Sequence, residues 1–457
     1  MTDTQKAKPS ENVFETGDIP GLYVKLALPL VFSMTVTLVY NLADTFFVAR
    51  TNNTNLVAGV SLCAPLFTFL MALGNILAQG GSSLISRLMG QGNQESVRRV
   101  SAFCFYATLF SGVAVGVVLL IFRVPMLQLL GTDSDTFSYA SDYFIWLAIG
   151  SPFIMASFIH SNLLRSEGMS NESMFGTVGG AVVNIILDPL LISVAGLGAA
   201  GAAIATVIGY VFSVAFLFVI VRKKSRAMSV SMRECKATVR ELRDMFGIGV
   251  PAAVSNIMQS VAVILMNQFL LPFGNGKIAA MGIVLKVNMI ALLILTGLTF
   301  GGQPMFGYYY GAKDRKKLGK LLFFCLKVIG ISALILTVLI FAFAPRLLAC
   351  FMNNSQIISD GTVMLRWQVV TMPLVGFILL ITIICQAIGE IPGSFILSVS
   401  RQGAVFLIVL VIARIALGYT GVLISQAVSD ALTAALAACI FAFRLRRKLF
   451  FETEAGM

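Results

Sequence analysis

Two carboxylates stand inside apolar segments of this 457-residue chain. Asp44 lies in the segment NLADTFFVAR, three residues after Asn41, so on a helix the two side chains share a face. Asp188 lies in VVNIILDPLLI, four residues after Asn184, and the same holds for that pair. Acidic side chains within apolar spans are costly and usually face a cavity, a partner or an ion pathway. The pattern predicts an ion site within a membrane.

Thr206 adds a hydroxyl to this set, because the sixth predicted span starts at the membrane side where the first and fifth spans end. Carboxylate, amide and hydroxyl oxygens suit a hard cation, and two neighbouring acids can share one proton. We therefore predict a site that couples transport to H⁺ or Na⁺, formed by Asp44, Asp188, Asn184, Asn41 and Thr206. Na⁺ would bind at Asp44, Asn184, Asp188 and Thr206.

The second half of the chain carries its own polar residues within predicted spans. Lys286 and Asp430 lie near the middle of the eighth and twelfth spans, and we expect that they form a buried pair lining a cavity. A purely structural pair between helices is an equally good interpretation. Gln259 is a weaker cavity candidate. Arg401 lies toward one end of the eleventh span and is expected to extend its charged group to the membrane interface.

The composition excludes a soluble globular protein, because 58% of residues are hydrophobic and only 12% are charged, against about a quarter in soluble domains. A membrane span needs about 20 apolar residues. Twelve segments qualify: 22–46, 56–80, 98–121, 138–162, 171–193, 198–221, 245–270, 276–300, 318–343, 361–385, 392–417 and 419–443. We predict an all-α integral membrane protein with twelve transmembrane helices.

The chain also carries an internal repeat. Its only tryptophans, Trp146 and Trp367, are each followed six residues later by a proline. The same separation relates further pairs: Gly168 and Gly389, Gly90 and Gly311, and Gly80–Gly81 and Gly301–Gly302. A register shared by several residues indicates a duplication. We predict two homologous six-helix bundles related by a pseudo-two-fold axis along the membrane normal.

The repeat is broken at the predicted ion site. The positions equivalent to Asp44 and Asp188 in the second half are Met266 and Val409. The second-half equivalents of Asn184 and Thr206 are apolar as well. The coupling site is therefore expected in the first half alone.

Lys and Arg residues are concentrated in alternate loops, above all in the linker between the halves, which indicates that these loops are cytoplasmic. The net charge of +12 is spread over these loops and offers no continuous groove for nucleic acid. The predicted organisation is a cytoplasmic N-terminal tail, an N-terminal lobe, a cytoplasmic linker, a C-terminal lobe and a cytoplasmic C-terminal tail: 1–20, 21–221, 222–244, 245–443 and 444–457.

An enzyme is not expected. The chain has one histidine and seven cysteines without metal-ligand spacing, so neither a zinc site nor a nucleophile–base pair is predicted. No cofactor is expected beyond the coupling ion.

Several motifs in order resemble the multidrug and toxic compound extrusion (MATE) family: DTFF, GQGN, RSEGMSN, NIILDP and GAKD. The resemblance covers residues from about 15 to 445. It implies a monomeric secondary active multidrug efflux transporter of the bacterial inner membrane that exchanges amphiphilic organic compounds for H⁺ or Na⁺.

Within that family the chain is more similar to the DinF-like subgroup than to the NorM-like one. The first subgroup has its cation site in the N-terminal half, at positions that match Asn41, Asp44, Asn184, Asp188 and Thr206. The second uses acids in the C-terminal half, where this chain has Gln259 and Phe377.

An acidic cavity would select cationic substrates. Ion binding is expected to reshape the first helix, with a bend at Pro29. The alternative is a flippase for a lipid-linked saccharide or an exporter of another amphiphilic metabolite. A flippase for a pyrophosphate-linked sugar would need a basic cavity, so the charge of the cavity separates the two interpretations.

Overall fold

Helices account for almost all of the chain that the structure, a computed structural model, describes, namely residues 13–15, 17–351 and 354–451. The first half contains eight α-helices: α1 Ile19–Ala49, α2 Thr54–Leu62, α3 Ala64–Gly90, α4 Gln94–Ile121, α5 Arg123–Leu129, α6 Phe137–Ser166, α7 Ser170–Pro189 and α8 Gly198–Lys224. We call these eight helices the N lobe. They pack mainly on one another around α6.

The second half contains eight more helices, which we call the C lobe: α9 Val239–Leu270, α10 Asn275–Gly311, α11 Arg315–Ala349, α12 Ser355–Val369, α13 Met372–Ile388, α14 Ile391–Val399, α15 Val405–Ile440 and α16 Arg446–Phe450. A capping box starts α9, in which Thr238 and Glu241 each bind the other's backbone N–H. A π-helical turn, Ser400–Ala404, joins α14 to α15.

The described residues contain ten helical segments that are long and apolar enough to cross a membrane, or eleven when α12 and α13 count as one bent span. One of the ten, Ile391–Phe450, has 60 residues and would be about 90 Å long if straight, roughly three times the hydrocarbon core. Gly418 breaks it with φ 58° and ψ −127°. A Cβ on Gly421 would lie 1.9 Å from the carbonyl oxygen of Ala413, so the chain reverses there. The segment crosses twice, which gives the twelve crossings predicted.

Two further features describe the chain's course. The tenth span bends by 44° between α12 and α13, because Pro373 in the first turn of α13 cannot continue the preceding helix. The predicted N-terminal tail is ordered where it is described: Phe14 is buried and stacks on Tyr308 with ring centroids 4.8 Å apart. The rest of the tails, 1–12 and 452–457, lies outside the described residues.

The lobes meet along a seam of glycines. A Cβ on Gly80 of α3 would lie 2.1 Å from the carbonyl oxygen of Met245, and one on Gly249 of α9 would lie 1.9 Å from that of Ile76. Gly301 of α10 makes an equally close approach to Ala27 of α1. Only glycine permits backbones to approach so closely.

This seam occupies one end of the bundle. The close contacts just described lie between the middle of each helix and the end nearer the chain termini and the basic linker, which we call the basic end. Farther along the same end, Gly90 packs on Tyr308 and Gly311 on Arg87. The hydroxyl of Tyr23 donates to the carbonyl of Leu298 across the seam at 2.7 Å. The lobes are therefore closed at the basic end.

Candidate functional site

Three of the predicted ion-site residues come together where α7 packs on α8. Glycines allow this approach: a Cβ on Gly180 would lie 2.6 Å from the carbonyl oxygen of Gly209. Asn184 and Asp188 of α7 then face Thr206 of α8, and all three are at most 3% exposed. The structure therefore brings together three of the residues that the sequence grouped.

The amide of Asn184 connects the other two residues. Its orientation follows from the donors around it: Nδ2 donates to Oδ2 of Asp188 at 3.3 Å, and Oδ1 accepts the backbone N–H of Thr206 at 3.1 Å. The reverse orientation would set an amide N–H against another N–H. Asn184 therefore fixes Asp188 in position relative to α8.

Asp44 of α1 lies on the other side of this cluster. It is close enough to interact electrostatically with Asp188, and both acids interact with the hydroxyl of Tyr143 on α6. Oδ1 of Asp44 is buried and has no hydrogen-bond partner among the described residues. A buried carboxylate oxygen without a donor is costly, and a proton or a cation would remove that cost.

Three tyrosines complete the pocket around the acids, and the sequence prediction missed them. Tyr40, Tyr143 and Tyr210 interact with one another around Asp44. Helical spacing could have identified two of them, because Tyr40 precedes Asp44 by four residues and Tyr210 follows Thr206 by four. Tyr143, on a third helix, carried no such signal.

Asn41 differs from the other predicted ligands. Its side chain is exposed, and its amide nitrogen donates to the carbonyl of Thr37 on its own helix at 2.9 Å. The shared face with Asp44 was inferred correctly, but the structure gives Asn41 no contact with Asp188 or Asn184. Pro29 lies within α1, which continues unbroken from Ile19 to Ala49.

A cavity of about 590 Å³ lies between the lobes and is lined by both. Asn184 and Thr206 form part of its wall, so the buried acids lie directly behind that wall, and Gln259 lines the opposite lobe. The described lining contains no Asp or Glu, but it contains Arg165 and Arg401. Asp44 and Asp188 are absent from this lining, so the acidic cavity expected in the N-terminal half is distinct from the interlobe cavity.

The C-lobe ion pair also differs from the prediction. Asp430 pairs with Arg401, whose Nε lies 3.2 Å from Oδ1, and not with Lys286. Arg401 and Asp430 face each other across the helical hairpin that turns at Gly418, whereas Lys286 lies on α10 and is exposed. For the same reason Arg401 does not extend to the membrane interface as predicted; its side chain is 15% exposed.

Known proteins with similar sequences and folds share this architecture. The multidrug export protein MepA of Staphylococcus aureus (strain MSSA476) is 29% identical over 441 residues, 96% of this chain and 97% of that protein. A solved MOP superfamily transporter from Pyrococcus furiosus Vc1 (DSM3638), reported to have a binding pocket of reverse polarity that suggests a different function, is 25% identical. Its TM-score is 0.89, and the match covers 97% of this chain and 99% of that one.

A second solved structure, the outward-facing conformation of a multidrug resistance MATE family transporter of the MOP superfamily, is 25% identical with a TM-score of 0.89. That match covers 98% of this chain and 100% of the other. These names describe transport, in agreement with the prediction that the chain is not an enzyme. The MatE family matches twice, at residues 29–190 and 251–413, once in each predicted repeat. Because these matches span more than half of the sequence, the chain belongs to the MatE family.

Proposed function

We propose that this chain is a multidrug efflux transporter that exports amphiphilic organic compounds in exchange for an inward-moving cation. Family membership and the resemblance to MepA support the export of multiple compounds. One observation carries the ion coupling: Asp188 is buried beside Asn184, which lines the interlobe cavity, and Asp44, whose Oδ1 is buried, is close enough to Asp188 to interact electrostatically. An ion bound there can alter the wall that a substrate touches.

The orientation follows from charge. The basic end, which holds the linker and both described termini, faces the cytoplasm of a bacterial inner membrane in this proposal. The glycine seam then closes the cytoplasmic side, so the arrangement corresponds to an outward-facing state. In this proposal the chain acts as a monomer, since its two lobes already enclose the cavity.

Coupling requires that the ion bind the two states with different affinity. In the outward-facing arrangement Oδ1 of Asp44 has no donor among the described residues, so an ion entering from outside stabilises a rearrangement of α1 that satisfies it. Pro29 lacks the N–H that would hold α1 straight, and it is the point where the helix bends. The bend narrows the cavity and releases the substrate outside.

We favour the proton over the sodium ion. The amide oxygen of Asn184 already accepts the backbone N–H of Thr206, which leaves it less available as a cation ligand. A proton shared between Asp44 and Asp188 needs no further ligand. The same N-lobe position supports assignment to the DinF-like subgroup.

The test uses full-length protein in sealed vesicles loaded with a fluorescent amphiphilic dye. An imposed pH gradient should drive efflux, and an imposed sodium gradient of equal size should not. Efflux driven by sodium alone would overturn the choice of ion. Efflux that responds to neither gradient would overturn coupled export itself.

One observation supports the alternative of a flippase for a lipid-linked saccharide, because Arg165 and Arg401 give the cavity the basic character that a pyrophosphate would need. Expression in a drug-sensitive host separates the two. A multidrug exporter raises resistance to amphiphilic dyes, whereas a flippase leaves it unchanged and moves a labelled lipid-linked sugar between leaflets.

A further inference from the structure

The interlobe cavity carries positive charge, and this charge bears on which charged group a substrate presents to it. Two guanidinium groups line the cavity, one from each lobe, and the described lining contains no carboxylate. The nearest acid on the C-lobe side, Asp430, is 1% exposed and lies behind Arg401. A substrate in the cavity therefore meets positive charge first.

Arg165 is already occupied by its own helix. Its Nη1 donates to the hydroxyl of Ser161 at 3.3 Å, and its Nη2 donates to the amide oxygen of Asn162. No acidic partner is found for it in the part of the chain that the structure describes. Arg165 thus adds an uncompensated positive charge near the basic end of the cavity but offers few unused donors.

Arg401 has the opposite arrangement. Only its Nε is used, as the donor to Oδ1 of Asp430 at 3.2 Å. Among the described residues, no hydrogen bond engages either of its Nη groups, and neither is an isolated buried atom. The side chain lines the cavity, so these groups, with four N–H donors between them, are accessible to a ligand there.

Asp430 holds Arg401 in this orientation without depending on it. The amide of Gln426 donates to Oδ1 at 3.1 Å, and the hydroxyl of Thr371 donates to Oδ2 at 3.0 Å. The hydroxyl of Ser429 also binds the backbone carbonyl of Arg401 at 3.2 Å, which fixes the π-helical turn. Asp430 is therefore a positioning residue that sets the planar guanidinium at the cavity wall.

We propose that Arg401 recognises a carboxylate, or a similar planar anionic group, on the exported amphiphile. A guanidinium with both Nη groups available binds a carboxylate through two parallel hydrogen bonds. Met34, Phe158, Met289 and Phe300 line the same cavity and accept the apolar part. This assignment rests on the proposed export function and replaces the expected cationic substrate with a zwitterionic or anionic one.

The experiment compares two dyes that differ in one group: rhodamine B, which carries a free carboxylate, and its ethyl ester, which is a permanent cation. Binding to the purified full-length transporter is measured by fluorescence anisotropy without any ion gradient. The wild type should bind the acid about tenfold more tightly than the ester, the usual scale of one charge-assisted pair. Equal or tighter binding of the ester would overturn the assignment.

Variants locate the effect. Because Arg401→Ala alone leaves Asp430 without a cation, the main variant combines Arg401→Ala with Asp430→Ala and should bring the acid-to-ester ratio close to one. Arg401→Lys keeps the charge but loses the two-pronged geometry and should retain part of the preference. Arg414→Ala, which removes an arginine that contacts Phe269 outside the cavity, should leave the ratio unchanged.

These outcomes are separate from the export proposal. If the double variant fails to fold, the wild-type and Arg401→Lys ratios still decide the matter. If the wild type prefers the acid but transports neither dye in vesicles, export fails and carboxylate recognition stands. If both dyes are exported equally and bound equally, export stands and carboxylate recognition fails.

Discussion

The two lobes use their buried acids in opposite ways. In the N lobe, Oδ1 of Asp44 has no hydrogen-bond donor and Asp44 forms no salt bridge among the described residues. In the C lobe, both oxygens of Asp430 are satisfied, by Arg401, Gln426 and Thr371. An acid without a permanent partner can exchange its ion, whereas a saturated acid can only hold its partner in place. In the proposed mechanism the two lobes of the duplicated fold therefore have different roles, ion exchange in the N lobe and ligand recognition in the C lobe.

The largest effect should follow from the N-lobe acids. Asp44→Asn removes an exchangeable charge while keeping the size of the side chain, so gradient-driven dye efflux should fall to the level of empty vesicles. The matched control is Asp135→Asn in the exposed loop before α6, which should transport normally. If Asp44→Asn still transported dye at the wild-type rate, Asp44 would not be the exchangeable acid, and the contrast between the two lobes would be lost.

Removing an acid should reduce the stability of the protein more in the C lobe than in the N lobe, the reverse of its effect on transport. Asp430→Ala leaves Arg401 without its anion and should lower the free energy of unfolding by about 3 kcal/mol, as for other broken buried pairs. Asp44→Asn removes no ion pair and should leave it unchanged within about 0.5 kcal/mol. Thermal unfolding of the purified variants in one detergent measures both. Equal losses would mean that Asp44 has a structural partner.

The seam should be sensitive to a single methyl group. A Cβ at Gly249 would meet the carbonyl of Ile76 at 1.9 Å, so Gly249→Ala should push the lobes apart at the basic end and slow efflux by about tenfold. At Gly330 of α11 nothing lies within 4 Å, and Gly330→Ala should be neutral or stabilising. Distances between spin labels on the two lobes report the opening. Unchanged distances in Gly249→Ala would exclude a tight seam.

The smallest effect is expected at Asn41. Its amide binds its own helix and its side chain is exposed, so Asn41→Ala should change the efflux rate by less than about twofold. Efflux assays at several proton gradients provide the measurement. A loss comparable to that of Asp44→Asn would restore Asn41 to the coupling site, where the sequence alone had put it.

The sequence was sufficient for features governed by one helix or by apolar length. The number of crossings follows from apolar segments, and Asn184 and Asp188 share a face because helical spacing requires it. The grouping with Thr206 was correct because α7 and α8 are neighbours joined by a short turn. Contacts within one helix, or between adjacent helices, leave few alternatives.

Contacts between helices of uncertain register were not predictable. Asp430 could pair with Lys286 or Arg401 by depth alone, and the choice depends on where the hairpin turns at Gly418 and on the π-helical turn that shifts α15. Whether the acids line the interlobe cavity was unpredictable for a related reason. Composition shows that acids are present, but only the rotation of α1 and α7 decides whether they face the open space.

The glycine seam carries a consequence for the history of the chain. Gly90 packs on Tyr308 while Gly311 packs on Arg87, and the repeat register pairs Gly90 with Gly311 and Arg87 with Tyr308. Exchanging the halves therefore maps one contact onto the other, which is the defining property of an isologous two-fold interface. The seam retains the geometry of a homodimer of six-helix subunits.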